Sequence, residues 1–250
     1  MTVQVTIYTE KQHPMKLKTL LTLTLSTALA GFSSAATIVQ TQTFDFVPNG
    51  SAPLLFNKFN TALGTLTGVT VSVLMNKNGG RFEVDNDSLT GGTLTLTHTV
   101  TGSLSSSVSL VKTGGASSVG QSGSVTAVST LASVTIGATT GDPDDAFNAQ
   151  PGSADYVRFD PTSTSASDSG NIDLGFISQY AFAGVQTFGM SFGALQTVQA
   201  TGVSGLQQSF TVSDVVGNVV VTYNYDAVPE PTSALLGGLG ALALLRRRRH

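Results

Sequence analysis

Cysteine and tryptophan are absent from this 250-residue chain, histidine occurs three times, and only 11% of residues are charged. Without cysteine no disulfide staples the fold, and no thiolate serves as nucleophile or metal ligand. Two of the histidines, His13 and His250, lie near the ends, which leaves His98 for the interior and excludes a zinc site built on histidines. A charged fraction of 11% is well below the roughly 25% of an ordinary soluble domain. Serine, threonine and glycine take the missing places, so the surface is solvated by hydroxyls rather than ions.

The net charge of -3 hides a segregation. Lys11, Lys16 and Lys18 sit near the start and Arg246, Arg247, Arg248 and Arg249 near the end. Between Ala36 and Pro231 five basic residues face fourteen acidic ones, a net of -9. Such a body repels nucleic acid and anionic lipid headgroups, which disfavours both as partners.

Residues 15–36 have the three parts of an export signal. Lys16 and Lys18 come first, an apolar run from Leu20 to Phe32 follows, and Ser33-Ser34-Ala35 ends it as a small-residue cleavage site. Cleavage is expected between Ala35 and Ala36, by signal peptidase. Residues 1–14 precede the signal and share none of its features, which makes Met15 the expected start.

From residue 37 to 226 the dominant period is two. Leu94, Leu96, His98 and Val100 point one way while Thr93, Thr95, Thr97, Thr99 and Thr101 point the other, as on a strand with one buried face. Val69, Val71 and Val73 repeat the pattern, as do residues 216–225. Asn78-Gly79-Gly80, Asp85-Asn86-Asp87, Gly91-Gly92, Thr113-Gly114-Gly115, Gly141-Asp142-Pro143 and Val216-Gly217-Asn218 read as turns. Residues 103–137 read as weakly ordered strands or a long loop. The expectation is an all-β antiparallel sandwich or jelly roll of ten to twelve strands spanning 36–227, with a signal helix before it and a short apolar helix after it. No internal repeat supports a solenoid.

The tail, residues 228–250, has three ordered parts: Pro229-Glu230-Pro231, an apolar run from Ala234 to Leu245, and the four arginines. Two prolines stiffen an extended element for a processing enzyme, and four arginines stay on the cytoplasmic side. The run is about 18 Å long as a helix, shorter than the roughly 20 residues of a stable span, which suits a transient anchor. Together these parts resemble the PEP-CTERM sorting signal. The resemblance implies inner-membrane anchoring followed by removal by exosortase, in bacteria that make exopolysaccharide. The body resembles the choice-of-anchor E family at residues 41–46, 55–60, 63–70 and 221–225, a resemblance that implies surface placement and assigns no activity.

Candidate chemistry is sparse. Asp142, Asp144, Asp145 and Asp155, with Asp160 close behind, crowd a Gly/Pro-bounded segment, and calcium is the hard cation such oxygens would hold. Their spacing matches no EF-hand, and solvated acidic loops are common. The same carboxylates are the candidates for a polysaccharide hydrolase or a calcium-dependent carbohydrate-binding module. A Ser-His-Asp site would have to use His98, whose place beside Leu94 and Leu96 marks it as a core histidine. The phenylalanines, Phe44, Phe46, Phe56, Phe59, Phe176, Phe182, Phe188 and Phe192 among them, read as core. One threonine row is too few for ice binding. The expected role is therefore non-catalytic and without cofactor: a structural or adhesive part of an exopolysaccharide matrix, exported to the cell envelope or beyond.

Sequencing both ends of the protein recovered from its host tests the two signals. Ala36 should be the first residue, and a chain lacking residues 246–249 should accumulate with its tail uncut.

Overall fold

In the computed structural model, period-two alternation becomes strands wherever the sequence carries it. The described residues are 5–8, 34–139, 151–211 and 214–228, with Gly237, Gly238 and Gly240 of the tail, which are helical. The expected signal helix, and the rest of the expected tail helix, lie outside them. Fourteen strands are present among the described residues, more than expected, because two are dipeptides and one precedes residue 15, where the expected body had not begun. They are β1 (Val5–Tyr8), β2 (Ala35–Phe46), β3 (Gly50–Asn57), β4 (Phe59–Asn60), β5 (Gly64–Asn78), β6 (Arg81–Asn86) and β7 (Gly92–Ser106). The remainder are β8 (Val125–Ile136), β9 (Tyr156–Phe159), β10 (Thr164–Asn171), β11 (Ala181–Phe182), β12 (Thr187–Thr201), β13 (Leu206–Thr211) and β14 (Asp214–Ala227).

Two antiparallel sheets face each other. One has the order β1-β2-β14-β5-β10 and the other β3-β12-β7-β8. A third sheet, β13-β6-β9, covers one end, and a parallel pair, β11-β4, lies at the other. The first and last long strands of the body are neighbours, with Ala35 opposite Asp226 and Phe46 opposite Val215.

The main core is the meeting of the two inner faces. Val71, Val73 and Met75 of β5, with Val219, Val221 and Tyr223 of β14, supply one side; Val100, Phe188, Met190 and Phe192 supply the other. Across it Phe44 and Phe192 stack with ring centroids 4.4 Å apart. Each ring lies over a glycine. A Cβ on Gly217 would meet the Phe44 ring at 2.5 Å, and one on Gly102 would meet the Phe192 ring at 2.4 Å. A second core, with Phe82, Val84, Leu94, Leu96, Ile136 and Val157, fills the space under the third sheet.

Two sequence readings need correction. Val216-Gly217-Asn218 is no turn but the interior of β14; its glycine is there because an aromatic ring occupies the volume of a side chain. Phe182 is not core: it is 44% exposed, on a two-residue strand at the open end of the sandwich. Residues 103–137, left open between strands and loop, contain both. β7 continues to Ser106, a loop covers 107–124, and β8 follows with a bulge opposite Thr95, where Ser133 takes a φ of 56°. The loop is pinned by Asp168 of β10, whose carboxylate accepts from Lys112 Nζ at 2.6 Å and from the Gly120 amide at 2.8 Å.

Gly217→Val places a methyl-bearing carbon against the Leu74 carbonyl as well as Phe44, and neither backbone nor ring has room to yield. The urea midpoint should fall by an amount equivalent to about 3 kcal/mol, with the slope of the transition unchanged.

Candidate functional site

The two outer sheet faces are the broadest surfaces of the body, and their chemistry follows from register. Residues directly opposite in an antiparallel pair share a face, so each exposed row of one strand is extended by its neighbours. On the four-stranded sheet, Leu195–Thr101–Thr126, Thr197–Thr99–Val128 and Gln199–Thr97–Thr130 form three consecutive rungs across β12, β7 and β8. Farther along, Ser191 lies between Pro53 and Ser105, and Gly193 between Ser51 and Ser103. No charged residue occupies any of these positions. Hydroxyls and methyls therefore repeat at about 4.8 Å across the strands and about 6.8 Å along them.

The five-stranded sheet presents a similar face. Thr43–Asn218–Leu74–Ser167, Thr41–Val220–Ser72–Ser169 and Val39–Thr222–Thr70–Asn171 cross β2, β14, β5 and β10. Its charged residues stand at the extremities: Asp45 and Asp214 at one end of the strands and Asp226 at the other. Other ionic groups gather on the third sheet. There Asp160 accepts from Arg158 Nε at 2.7 Å and from Arg81 Nε at 3.4 Å, and Tyr156 donates to Glu83. Burial, then Glu83, pushes the Tyr156 hydroxyl up to about 12. The sequence showed the threonine row of β7; it could not show the rows that flank it.

Between the two cores lies a buried polar cluster. Lys77 of β5 is fully buried, as is His98 of β7, and Ser129 of β8 is 7% exposed. Lys77 Nζ donates to Ser129 Oγ at 2.6 Å and lies 3.1 Å from His98 Nδ1. His98 Nε2 is 3.1 Å from Gln196 Oε1, and Ser129 Oγ donates to the Thr162 carbonyl at 3.1 Å. These contacts form a single consistent pattern: Nε2 carries the imidazole proton for Gln196, and Nδ1 accepts from Lys77. The Phe210 ring meets the imidazole edge-on at 5.6 Å. Among the described residues no carboxylate pairs with Lys77.

A serine beside a lysine is a familiar nucleophile arrangement, but here the hydroxyl is committed to Thr162 and the site is closed to solvent. The chemistry available is structural, a polar layer separating two apolar ones. His98 is the core histidine expected of it. Lys77 was missed, although its parity with Val71, Val73 and Met75 placed it on the inner face.

Of the calcium candidates, Asp142, Asp144 and Asp145 lie outside the described residues. Asp155 is buried at 5% exposure beside the third sheet, where its carbonyl accepts from the Asn86 amide at 3.0 Å. Asp160 is held by its two arginines. Among the described residues no three His, Asp or Glu groups come together as a metal site. Of the cleavage pair, Ala35 opens β2 opposite Asp226 and Ala36 faces Tyr225. Pro229, Glu230, Pro231 and the four arginines lie outside the described residues; β14 delivers the chain to them at Val228. The motifs at 41–46, 55–60, 63–70 and 221–225 fall on β2, β3–β4, β5 and β14.

Residues 227–249 match the PEP-CTERM protein-sorting motif. The match begins at the last residue of β14, so the PEP-CTERM segment follows directly on the folded body. The motif supports export of the protein and its sorting by an exosortase system, and it implies processing by an exosortase-type enzyme. No curated protein matches the chain. Solved structures that resemble it come from infectious bursal disease virus. The Gx strain structure shares 13% identity over 92% of this chain and 55% of that one, with a TM-score of 0.17. The T13 viral particle shares 17% over 86% and 45%, with a TM-score of 0.13. The chain thus spans about half the length of these viral chains, and at such TM-scores the likeness carries no argument. Among the described residues no helix is long and apolar enough to cross a membrane.

The cluster makes stability depend on pH. Burial holds His98 below the ordinary imidazole value of 6.5; the Lys77 charge adds to this, against the upward pull of its bond to Gln196. Burial likewise lowers Lys77 from 10.5. Both groups bind protons less readily when folded, so the unfolded chain gains protons first as pH falls. For His98 the stability is whole above about 6.5 and drains away below it. Urea midpoints measured from pH 5 to 8 should rise with pH, and His98→Gln, which keeps an acceptor for Lys77, should flatten that rise.

Proposed function

We propose that the protein is a non-catalytic, structural or adhesive component of an exopolysaccharide matrix, delivered to the cell envelope or beyond by its two sorting signals. The observation that carries this reading is the pair of broad sheet faces bearing hydroxyls and small apolar groups with charges only at their extremities. A neutral polyhydroxyl polymer meets such a face without stripping water from ions, which is the costly step in burying a charged surface. Half-buried Thr97 and Thr99, with exposed Thr130 and Gln199 and their neighbours, exchange bonds to water for bonds to sugar. The acidic balance of the body, a net of -9 between Ala36 and Pro231, selects against anionic polymers.

The non-catalytic part of the reading is supported by the state of His98. Both of its ring nitrogens are engaged and it is sealed from solvent. The body's resemblance to the choice-of-anchor E family accords with a display role. Of the hydrolase candidates, Asp160 is engaged by arginines among the described residues rather than set opposite a second acid, which supports the structural reading.

Co-sedimentation with the host's own insoluble matrix tests the assignment. The body should be retained without releasing reducing ends. A lysine at the centre of the face, Thr99→Lys, should weaken retention about tenfold while leaving the fold intact, because a solvated ammonium must then be desolvated on contact. Retention unchanged by that substitution would remove the face from the proposal.

A further inference from the structure

At the end of the sandwich opposite the third sheet, the body exposes apolar side chains beside both of its chain exits. Among the described residues eleven large hydrophobics are exposed, and five of them are here: Leu63, Leu174, Phe182, Val185 and Val228. Val185 is 89% exposed, Leu174 67% and Val228 59%. They sit on two segments, 58–66 and 172–186, and on the departing chain. These parts are tied together: Phe182 is opposite Asn60, the Asn60 side chain accepts from the Gly184 amide, Lys58 N donates to the Gln186 carbonyl, and Val228 N donates to the Leu63 carbonyl. A groove of about 470 Å³ opens between the segments, with Leu66, Ile177 and Ala181 on its walls.

Both hydrophobic segments of the sequence leave from this end. The Ala227 amide donates to the Ser34 carbonyl at 3.0 Å, so the end of the expected leader and the start of the sorting motif are adjacent. The apolar run of the leader ends at Phe32, two residues before Ser34, and the tail's run starts at Ala234, six residues after Val228. At about 3.4 Å per residue these tethers reach roughly 7 and 20 Å. Whichever segment is in a bilayer, this end of the body is held against it at high effective concentration. Segments 58–66 and 172–186 carry two charged residues, Lys58 and Asp173, and Asp226 stands beside them at the end of β14, so among the described residues the ionic desolvation that opposes contact comes from three groups.

We propose that this end is a membrane-facing surface, whose exposed Leu63, Leu174, Phe182, Val185 and Val228 rest in the headgroup boundary of a bilayer while the tail is uncut. The proposal rests on the reading of residues 227–249 as a sorting anchor. It gives the body a defined pose, with the strands running away from the lipid and both neutral sheet faces standing free of it. The acidic body directs the choice of lipid to zwitterionic headgroups.

Because the chain has no cysteine, single labels report single places. The full chain carrying Val185→Cys, Leu195→Cys or Ala241→Cys, each with an environment-sensitive fluorophore, is reconstituted into phosphatidylcholine vesicles containing headgroup-nitroxide lipid. The labels at 185 and 241 should be quenched severalfold more than the label at 195, which sits on a sheet face. Quenching at 241 with none at 185 above the level at 195 leaves the anchor standing and overturns the surface. No quenching at 241 overturns the anchor and the surface with it. Protection of the 185 label without vesicles at rising protein concentration assigns the patch to a second copy instead and overturns the lipid assignment. Leu174→Ser with Phe182→Ser should reduce quenching at 185 and leave 241 unchanged.

Discussion

The stack of Phe44 on Phe192 is the contact on which the body depends. It is the point where β2 of one sheet and β12 of the other touch through their largest inner side chains, and each ring fits because a glycine on the neighbouring strand leaves its space empty. Aromatic pairs of this kind contribute about 0.5–1.5 kcal/mol beyond the area they bury. The larger effect is geometric. Rings of this size bridge the two sheets, and the strand parity that turns them inward decides which residues of each strand are inside. The rows of hydroxyls outside follow from the rings within, since alternation leaves them no other direction.

Charge is excluded from these rows and concentrated elsewhere. The ion pairs of the third sheet are exposed and contribute little to stability, as surface pairs generally do. Their placement matters more than their strength, because it leaves two large faces of hydroxyls and methyls. Lys77 stands out against this rule as a cation taken inside with no carboxylate partner among the described residues. It is tolerated because Ser129 and His98 accept its protons and because it separates two cores rather than interrupting one. A polar layer of this type fixes register: sliding β5 by one residue would turn Lys77 outward and place an asparagine in the core.

Much of the all-β fold was legible in the sequence, because alternation is a local property. Leu94, Leu96, His98 and Val100 announced an inner row and are one. Partnership is not local, and there the sequence was silent. Nothing in β7 reveals that Thr99 lies between Thr197 and Val128, and nothing near Lys77 points to Ser129, 52 residues on. Gly217 was misread because glycine between a valine and an asparagine has the signature of a turn, and the ring that explains it comes from Phe44. Phe182 was misread because composition assigns phenylalanine to cores without regard to where a chain end opens. The sorting motif at 227–249 was legible because it is carried by residues in linear order, to be recognised by another protein.

The pairing of β2 with β14 brings together residues that are nearly the whole body apart in sequence, Ala35 with Asp226. Contacts of such long range raise contact order and slow folding. The five-stranded sheet cannot close until its last strand is available, so a chain emerging N-terminus first stays incomplete through almost all of its passage. Late closure keeps the polypeptide thin and threadable for as long as transport requires. The body then sets only when its far end has arrived, with the tail close behind.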